Sequence, residues 1–170
     1  MKLNLGSGNI LKEGYINVDF YNPKADMKFD LFTFPWPWED NSVDEVTMDA
    51  FLEHYREPQD AVNEIARILK VGGKFKMWVS HCYQPLHYHF DHRSYYTSQT
   101  FRALSEPIGE WIWKDNKPPF RQTYFRMKWV TVAGMCTWTP LDWWLTKFPH
   151  FFEKFIPIRP SCIIWEGVKV

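Results

Sequence analysis

The sequence contains few cysteines, no excess charge of either sign and no long apolar run. Its three cysteines, Cys82, Cys136 and Cys162, lack the spacing of zinc ligands, so we expect reduced thiols and a cytoplasmic protein. The 20 basic and 20 acidic residues give a formal net charge of zero, which argues against a nucleic-acid partner. No segment approaches the roughly 18 apolar residues of a membrane span, and the N-terminus lacks the apolar stretch of a signal peptide.

The composition that is present indicates a globular protein. Of the 170 residues, 45% are apolar and 19% are aromatic, including ten tryptophans. A chain of this length can bury a substantial core, so we expect a single domain that spans residues 1–170.

Strand and helix patterns alternate in the first half of the chain. Short apolar segments that run into turn residues predict strands at residues 3–5, 15–20, 29–32, 43–49 and 74–80. Before the last of these strands, apolar residues at three- and four-residue spacing predict a helix that begins near Pro58 and ends before Gly72. This alternation predicts a mainly parallel sheet with helices packed on it.

The second half begins with a loop rich in histidine and tyrosine. This loop covers residues 81–96, and Thr97 can then cap a short helix that runs to Leu104. Two late strands are predicted at residues 125–133 and 162–170.

An aromatic segment at residues 140–155 separates the two late strands. Its apolar side chains recur at helical spacing, although Pro149 must bend or break the helix. We favour core packing or a homo-oligomer interface for this stripe, and the alternative is a helix that lies on a membrane surface.

The glycine-rich loop after the first strand is the first candidate binding site. Gly6 and Gly8 allow a ligand to approach the backbone closely, and the amides around Ser7 can donate to an anionic group. Leu11 occupies the place of the third glycine in a dinucleotide fingerprint, which argues against a pyrophosphate site. The alternative is an ordinary glycine turn without a ligand.

Acidic residues follow three of the predicted strands. Asp19 can accept hydrogen bonds from both hydroxyls of a ribose, and Asp30 can accept one from an exocyclic amine. Leu31 and Phe32 offer apolar contact to a purine, and Asp49 ends the next strand. The carboxyl ends of parallel strands meet at one edge of a sheet, which is where open α/β folds bind ligands.

The order of these motifs resembles the class I S-adenosylmethionine-dependent methyltransferases, specifically the small methyltransferase-domain group. The resemblance covers residues 3 to about 104 and includes a Leu-Glu-His motif at residues 52–54 and a Gly-Gly turn at residues 72–73. It implies a Rossmann-like fold with a mostly parallel seven-stranded sheet whose two late strands form an antiparallel edge pair. Because the chain begins at the first strand, we expect the family's usual N-terminal helices to be absent.

The resemblance also implies S-adenosylmethionine as the cofactor and assigns residues to it. Gly6, Ser7 and Gly8 would hold its methionine end, Asp19 the ribose, and Asp30 and Leu31 the adenine. Asp49 would face the pocket near the sulfonium, and Phe20 is a further cofactor-binding residue. The implied function is methyl transfer to an oxygen or nitrogen of a small molecule or saccharide. The alternative is a binding or scaffold protein that keeps the fold without catalysis, because the first two strands are joined by an unusually short connection.

The histidine-rich loop after the fifth predicted strand is the candidate acceptor site. We expect His81 to be the general base, with His89 and His92 as second choices, since a hydroxyl acceptor must lose a proton. A metal site at His87, His89 and Asp91 is one alternative, and a loop with purely structural hydrogen bonds is the other. We assign no metal ligand from the sequence.

Overall fold

A computed structural model describes residues 1–83, 89–107, 117–128, 131–132, 135–136, 140–155 and 160–170. Within these residues a mixed sheet of six strands has the order β2-β1-β3-β4-β8-β5. Its strands are β1 (Lys2–Leu5), β2 (Ile16–Val18), β3 (Val43–Asp49), β4 (Leu69–Ser80), β5 (Phe120–Lys128) and β8 (Cys162–Lys169). Strands β6 (Thr131–Val132) and β7 (Met135–Cys136) form a separate antiparallel pair.

Short helices connect the strands. A 3-10 helix (Leu52–His54) and helix α1 (Pro58–Ile68) lie between β3 and β4, followed by α2 (Ser98–Arg102), α3 (Pro140–Lys147) and α4 (Pro149–Phe155). Pro58 begins α1, where its missing amide hydrogen costs nothing. The buried face of α1 carries Ala61, Val62, Ile65 and Ile68.

The α/β prediction is confirmed, including the antiparallel edge. Strands β1 to β4 pair in parallel, whereas β8 pairs antiparallel with both β4 and β5. Strand β5 starts at Phe120 rather than residue 125, and the predicted end at residue 133 lies outside the described residues. Pro149 interrupts the aromatic segment and divides it into α3 and α4, as predicted.

The predicted strand at residues 29–32 was wrong, so the described sheet has six strands rather than seven. Beyond β2, at the outer edge of the sheet, strand pairing is limited to a parallel bridge between Val18 and Met27. Asp30 bends the chain instead, because its carboxylate accepts the amide of Phe32 at 3.0 Å and its carbonyl accepts the amide of Thr33 at 3.0 Å.

A loop rather than a helix joins the parallel strands β1 and β2. Side chains hold it against the sheet: the Asn4 amide donates to Asn17 and to the carbonyl of Ile10, both at 2.9 Å. The hydroxyl of Thr47 donates to Asn4 at 3.0 Å, and the amide of Lys12 donates to Asn17 at 2.8 Å. This buried polar network lets so short a connection cross between neighbouring parallel strands.

The hydrophobic core occupies the opposite face of the sheet. Alternate residues of the strands supply completely buried side chains there, namely Leu3, Leu5, Val46, Met48, Phe75, Ile163 and Trp165. The period of two separates them from Asn4 and Thr47, which belong to the polar network.

The expectation of reduced cysteines was wrong for Cys162. Cys162 is disulfide-bonded, whereas Cys82 is a free, partly buried thiol. In the part of the chain that the structure describes, none of the helices combines the length and apolar character needed to cross a bilayer.

Candidate functional site

An open pocket of about 130 Å³ lies at the carboxyl ends of β1 and β2. It is lined by Gly6, Asp19, Phe20, Tyr21, Phe29, Asp30, Leu31, Phe32 and Phe51. The strand ends therefore meet at one edge of the sheet, where the sequence predicts a ligand site.

Gly6 permits a close packing that forms one wall of this pocket. Its φ of +64° belongs to the left-handed region, and a Cβ atom at this position would stand only 2.3 Å from the ring of Phe51. The next residue, Ser7, is buried, and its Oγ has no hydrogen-bond partner among the described residues. A buried hydroxyl in this state can bind a polar group that enters the pocket.

Asp19 is anchored by the loops on both sides of the pocket. Its Oδ2 accepts the amide of Gly8 at 2.8 Å, and its Oδ1 accepts the amides of Tyr21 and Asn22, both at 2.8 Å. Burial opposes ionisation, but the amides of Asn22, Gly8 and Tyr21 outweigh it and lower the pKa of this carboxyl. Asp19 is thus an ionised, fixed acceptor, and one lone-pair direction on Oδ2 is left for a ligand hydroxyl.

Aromatic rings and a buried leucine form the other side of the pocket. The carbonyl of Leu31 accepts the hydroxyl of Tyr55 at 2.7 Å and the indole N–H of Trp36 at 3.0 Å. These bonds fix the segment that carries Phe32, whose ring packs against Tyr55 at 4.7 Å and Phe51 at 5.7 Å between centroids. Phe32 is half exposed, so a flat ring can stack on its open face.

The structure brings five of the eight predicted cofactor residues together. Gly6, Asp19, Phe20, Asp30 and Leu31 line the pocket. Ser7 and Gly8 belong to the same loop without being among the lining residues, and Asp49 forms an ion pair with Lys12 at 2.8 Å.

Sequence reasoning missed three aromatic residues of the lining, Tyr21, Phe29 and Phe51. The only available signal was position, because Tyr21 follows the acidic end of β2 and Phe51 follows that of β3.

His81, the preferred base, is completely buried at the end of β4. Its Nε2 lies 2.9 Å from Oε1 of Glu153, and its Nδ1 accepts the amide of Tyr83 at 3.2 Å. Both ring nitrogens therefore contact the protein, and His81 does not line the pocket. This geometry gives His81 the structural task of connecting β4 to α4.

Glu153 receives further hydrogen bonds from Ser98, whose amide and hydroxyl both donate at 2.8 Å. Burial would raise the pKa of Glu153, but the hydrogen bonds from His81 and from Ser98 lower it overall. The carboxylate is consequently ionised and joins β4, α2 and α4.

His89 and His92 belong to a series of ring contacts that ends at the pocket wall. The rings of His89 and His92 are 5.4 Å apart, and that of His92 is 4.9 Å from His54. His54 in turn packs 5.8 Å from Phe51, which lines the pocket. His87, named in the metal alternative, lies outside the described residues.

Glu53 is a buried carboxyl beside this histidine group. It is 1% exposed, and its Oε1 lies 3.5 Å from the amide of Ser80. Desolvation raises its pKa, because the few hydrogen bonds that it accepts do not compensate for burial.

The family model described as a methyltransferase domain matches residues 16–77. No curated protein matches the sequence.

Several solved structures share the fold across nearly the whole chain. A SAM-dependent methyltransferase from Archaeoglobus fulgidus aligns with a TM-score of 0.62 and 14% identity, covering 99% of this chain and 85% of its own. A SAM-dependent methyltransferase from Thermotoga maritima gives 0.59 and 14% identity, with 99% and 81% covered.

A third similar structure comes from a complex between a methyltransferase activator and a methyltransferase of Haloferax volcanii. It aligns with a TM-score of 0.55 and 19% identity, covering 98% of this chain and 81% of its own. The domain match covers part of the chain, and these structures show that the chain has the fold of SAM-dependent methyltransferases.

Proposed function

We propose that this chain, which has the fold of the class I S-adenosylmethionine-dependent methyltransferases, binds S-adenosylmethionine and transfers its methyl group. The observation that carries the proposal is the pocket itself. An ionised acidic residue at the end of β2 faces a glycine loop at the end of β1, and aromatic rings complete the wall.

The residues present fit this cofactor. Asp19 offers an acceptor to a ribose hydroxyl, and Asp30 with Leu31 supplies the polar and apolar contacts that an adenine needs. Gly6 lines the pocket and lets the ring of Phe51 pack against the glycine loop. We assign the amino-acid end of the cofactor to this loop, where the hydroxyl of Ser7 has no hydrogen-bond partner among the described residues. Bound S-adenosylmethionine would supply an electrophilic methyl group on a positively charged sulfur.

The protein's own contribution to such a transfer is alignment and exclusion of water. Phe32 and Phe51 cover the pocket with apolar surface. Of the three histidines proposed as a base, His89 and His92 are better placed than His81, because His54 and Phe51 connect His92 to the pocket wall. A base is required only if the acceptor must lose a proton.

We propose an oxygen or nitrogen of a small molecule or saccharide as the acceptor. The neutral net charge and the polar, histidine-rich loop support this class over nucleic acid. Self-association through the aromatic C-terminal helices is supported by Trp143, Trp144 and Phe151, each about half exposed. A cytoplasmic location stays a proposal from composition, and the disulfide at Cys162 counts against it.

A ligand-dependent unfolding experiment tests the cofactor assignment. S-adenosylhomocysteine at a hundred times its dissociation constant should stabilise the protein by about 2.7 kcal/mol. ATP and NAD⁺ at the same concentration should have little effect, because the glycine loop lacks the third glycine of a dinucleotide site. Equal stabilisation by all three, or by none, would contradict the proposal, and the second result would favour the scaffold alternative.

A further inference from the structure

Three side chains of the kinds that bind metal ions, two histidines and one aspartate, lie close together, and Phe51 separates them from the pocket. His54 comes from the 3-10 helix after β3, whereas Asp91 and His92 come from the loop after β4. One potential ligand atom of each lies within 4.8 Å of the other two. His54 Nδ1 is 3.3 Å from Asp91 Oδ2, and the rings of His54 and His92 stand nearly perpendicular at 4.9 Å.

Backbone hydrogen bonds hold the two segments together. The amides of Arg93 and Ser94 both donate to the carbonyl of Glu53, at 2.7 and 3.2 Å. The residues that follow His92 are thereby fixed to the residue that precedes His54. The three side chains are positioned by the fold and do not depend on a chance contact between exposed loops.

We propose that His54, Asp91 and His92 bind a divalent transition-metal ion of the zinc type. Two imidazoles and one carboxylate are donors that such ions prefer, and three protein ligands leave a coordination position open. Metal–ligand bonds of about 2.0–2.2 Å in a tetrahedral site place ligand atoms about 3.4 Å apart. The present separations, 3.3 to 4.8 Å, therefore close onto an ion with small side-chain rotations.

An ion pair between His54 and Asp91 explains this arrangement less completely than a metal site does. The side chain of Asp91 is 68% exposed, and exposed pairs contribute only about 0–1 kcal/mol to stability. A pair also needs a single imidazole, whereas two face the carboxylate here. Metal binding gives both histidines a role at one point in space.

The site lies next to the proposed methyl-transfer pocket. An ion bound there would occupy His92, so of the two histidines favoured as a base only His89 would stay available. Phe51 lines the pocket on one side and contacts the ring of His54 on the other. The ligand set also differs from the metal alternative raised by the sequence, because it takes His54 from a separate element. Metal binding at this place does not depend on the proposed cofactor.

Titration of the full chain with Zn²⁺, after treatment with a chelator, tests the proposal by calorimetry. We expect one equivalent to bind, and Co²⁺ in its place to give visible absorption typical of a low-coordinate site. Each of His54→Ala and His92→Ala should weaken Zn²⁺ binding by about 100-fold or more, since loss of a residue that only hydrogen-bonds a metal ligand already costs about 10- to 100-fold. Mg²⁺ should not bind, because it prefers oxygen ligands.

His150→Ala is the matched control, because His150 is an exposed histidine on α4, and it should bind Zn²⁺ like the unchanged protein. Asp91→Ala provides a second test at an exposed position where folding is not at risk. The proposal is overturned if Zn²⁺ does not bind with a stoichiometry of one, or if all three ligand variants bind it normally. Parallel titration with S-adenosylhomocysteine separates this failure from a failure of the proposed function.

Discussion

The cofactor pocket and the histidine group beside it are built in different ways. The pocket uses short continuous segments at the ends of neighbouring strands, and backbone amides fix its acidic residue. The histidine group, His54, His89 and His92, collects side chains from the 3-10 helix and from the loop after β4. A site made from strand ends follows from topology, whereas a site made from separate loops depends on how those loops pack.

The two regions also treat their acids in opposite ways. Asp19 in the pocket has a lowered pKa because three amides donate to it. Glu53 in the histidine group has a raised pKa because burial dominates. The surroundings of Asp19 therefore favour the charged form of that carboxyl, whereas the surroundings of Glu53 disfavour the charged form.

Replacement of Gly6 should have the largest effect, because Gly6 packs against Phe51, the residue that lies between the two regions. In Gly6→Ala the new Cβ meets the ring of Phe51 in a left-handed backbone conformation. Left-handed strain costs about 1–2 kcal/mol and overpacking about 1–3 kcal/mol, so the free energy of unfolding should fall by about 2–5 kcal/mol. Urea unfolding measures this loss, and calorimetry should show that S-adenosylhomocysteine binding is lost as well.

Gly14→Ala separates strain from the clash. Gly14 also has a positive φ, +78°, but no described atom lies within 4 Å of its added Cβ. It should therefore lose only the strain component and keep its affinity for the ligand. Equal losses in the two variants would show that the contact between Gly6 and Phe51 is unimportant.

Asp19→Ala should weaken binding of S-adenosylhomocysteine by about 10- to 150-fold. This range corresponds to about 1.5–3 kcal/mol for a hydrogen bond to a charged group. Asp26→Ala is the control, because Asp26 accepts the amide and side-chain N–H of Asn17 at 2.8 Å but does not line the pocket. If both variants bind the ligand as the unchanged protein does, Asp19 is not the ribose acceptor.

His81→Ala should reduce stability by about 2 kcal/mol, because it removes a buried hydrogen-bond partner of Glu153. Glu153 has a lowered pKa, so its stabilising contribution is present above the unfolded value of about 4.3 and is lost as the pH falls through the folded value. The deficit should therefore be clear at pH 7 and smaller near pH 3 in thermal unfolding.

The same variant distinguishes a structural histidine from a catalytic one. His150→Ala, at an exposed position of α4, should leave stability nearly unchanged. If His81→Ala keeps its stability but loses methyl transfer, the result supports the sequence-based prediction that His81 is the general base.

The sequence predicted the pocket better than the histidine group for a physical reason. Periodic apolar strands place Asp19 and Gly6 at one sheet edge regardless of the loops, because parallel strands share a direction. His81 looked catalytic because it directly follows β4, but its partner Glu153 is 72 positions away and belongs to a different helix. A local sequence pattern does not predict a contact between residues so far apart in the chain.

The strand predicted at residues 29–32 and the metal alternative both show what a local sequence pattern omits. Residues 29–32 have strand composition, yet the Asp30 carboxylate bonds the amide of Phe32 and turns the chain. The metal alternative from sequence was confined to one loop, whereas the cluster takes His54 from the element after β3. The spacing of apolar residues does not reveal side chains that compete for backbone amides, and it does not reveal contacts between distant loops.

Glu53→Gln should give the smallest change, within about 1 kcal/mol, and its direction tests the contrast between the two acids. Because the pKa of Glu53 is raised in the folded protein, the folded state binds more protons than the unfolded state above about pH 4.3. The free energy of unfolding of the unchanged protein therefore falls as the pH rises above about 4.3. Glu53→Gln has no carboxyl at this position, so this decrease is missing in the variant. The variant should gain relative stability from pH 4 to pH 8 in urea unfolding.

Glu64→Gln should show the opposite trend. The hydrogen bonds from Arg67 lower the pKa of Glu64 despite its partial burial, so its stabilising contribution is present at neutral pH and disappears in acid. Relative to the unchanged protein, this variant should lose stability as the pH rises from 3 to 7. If the stability of both variants changes with pH in the same direction, the folded protein stabilises the ionised form of Glu53 as it does that of Glu64. The proposed contrast between Asp19 and Glu53 would then be wrong.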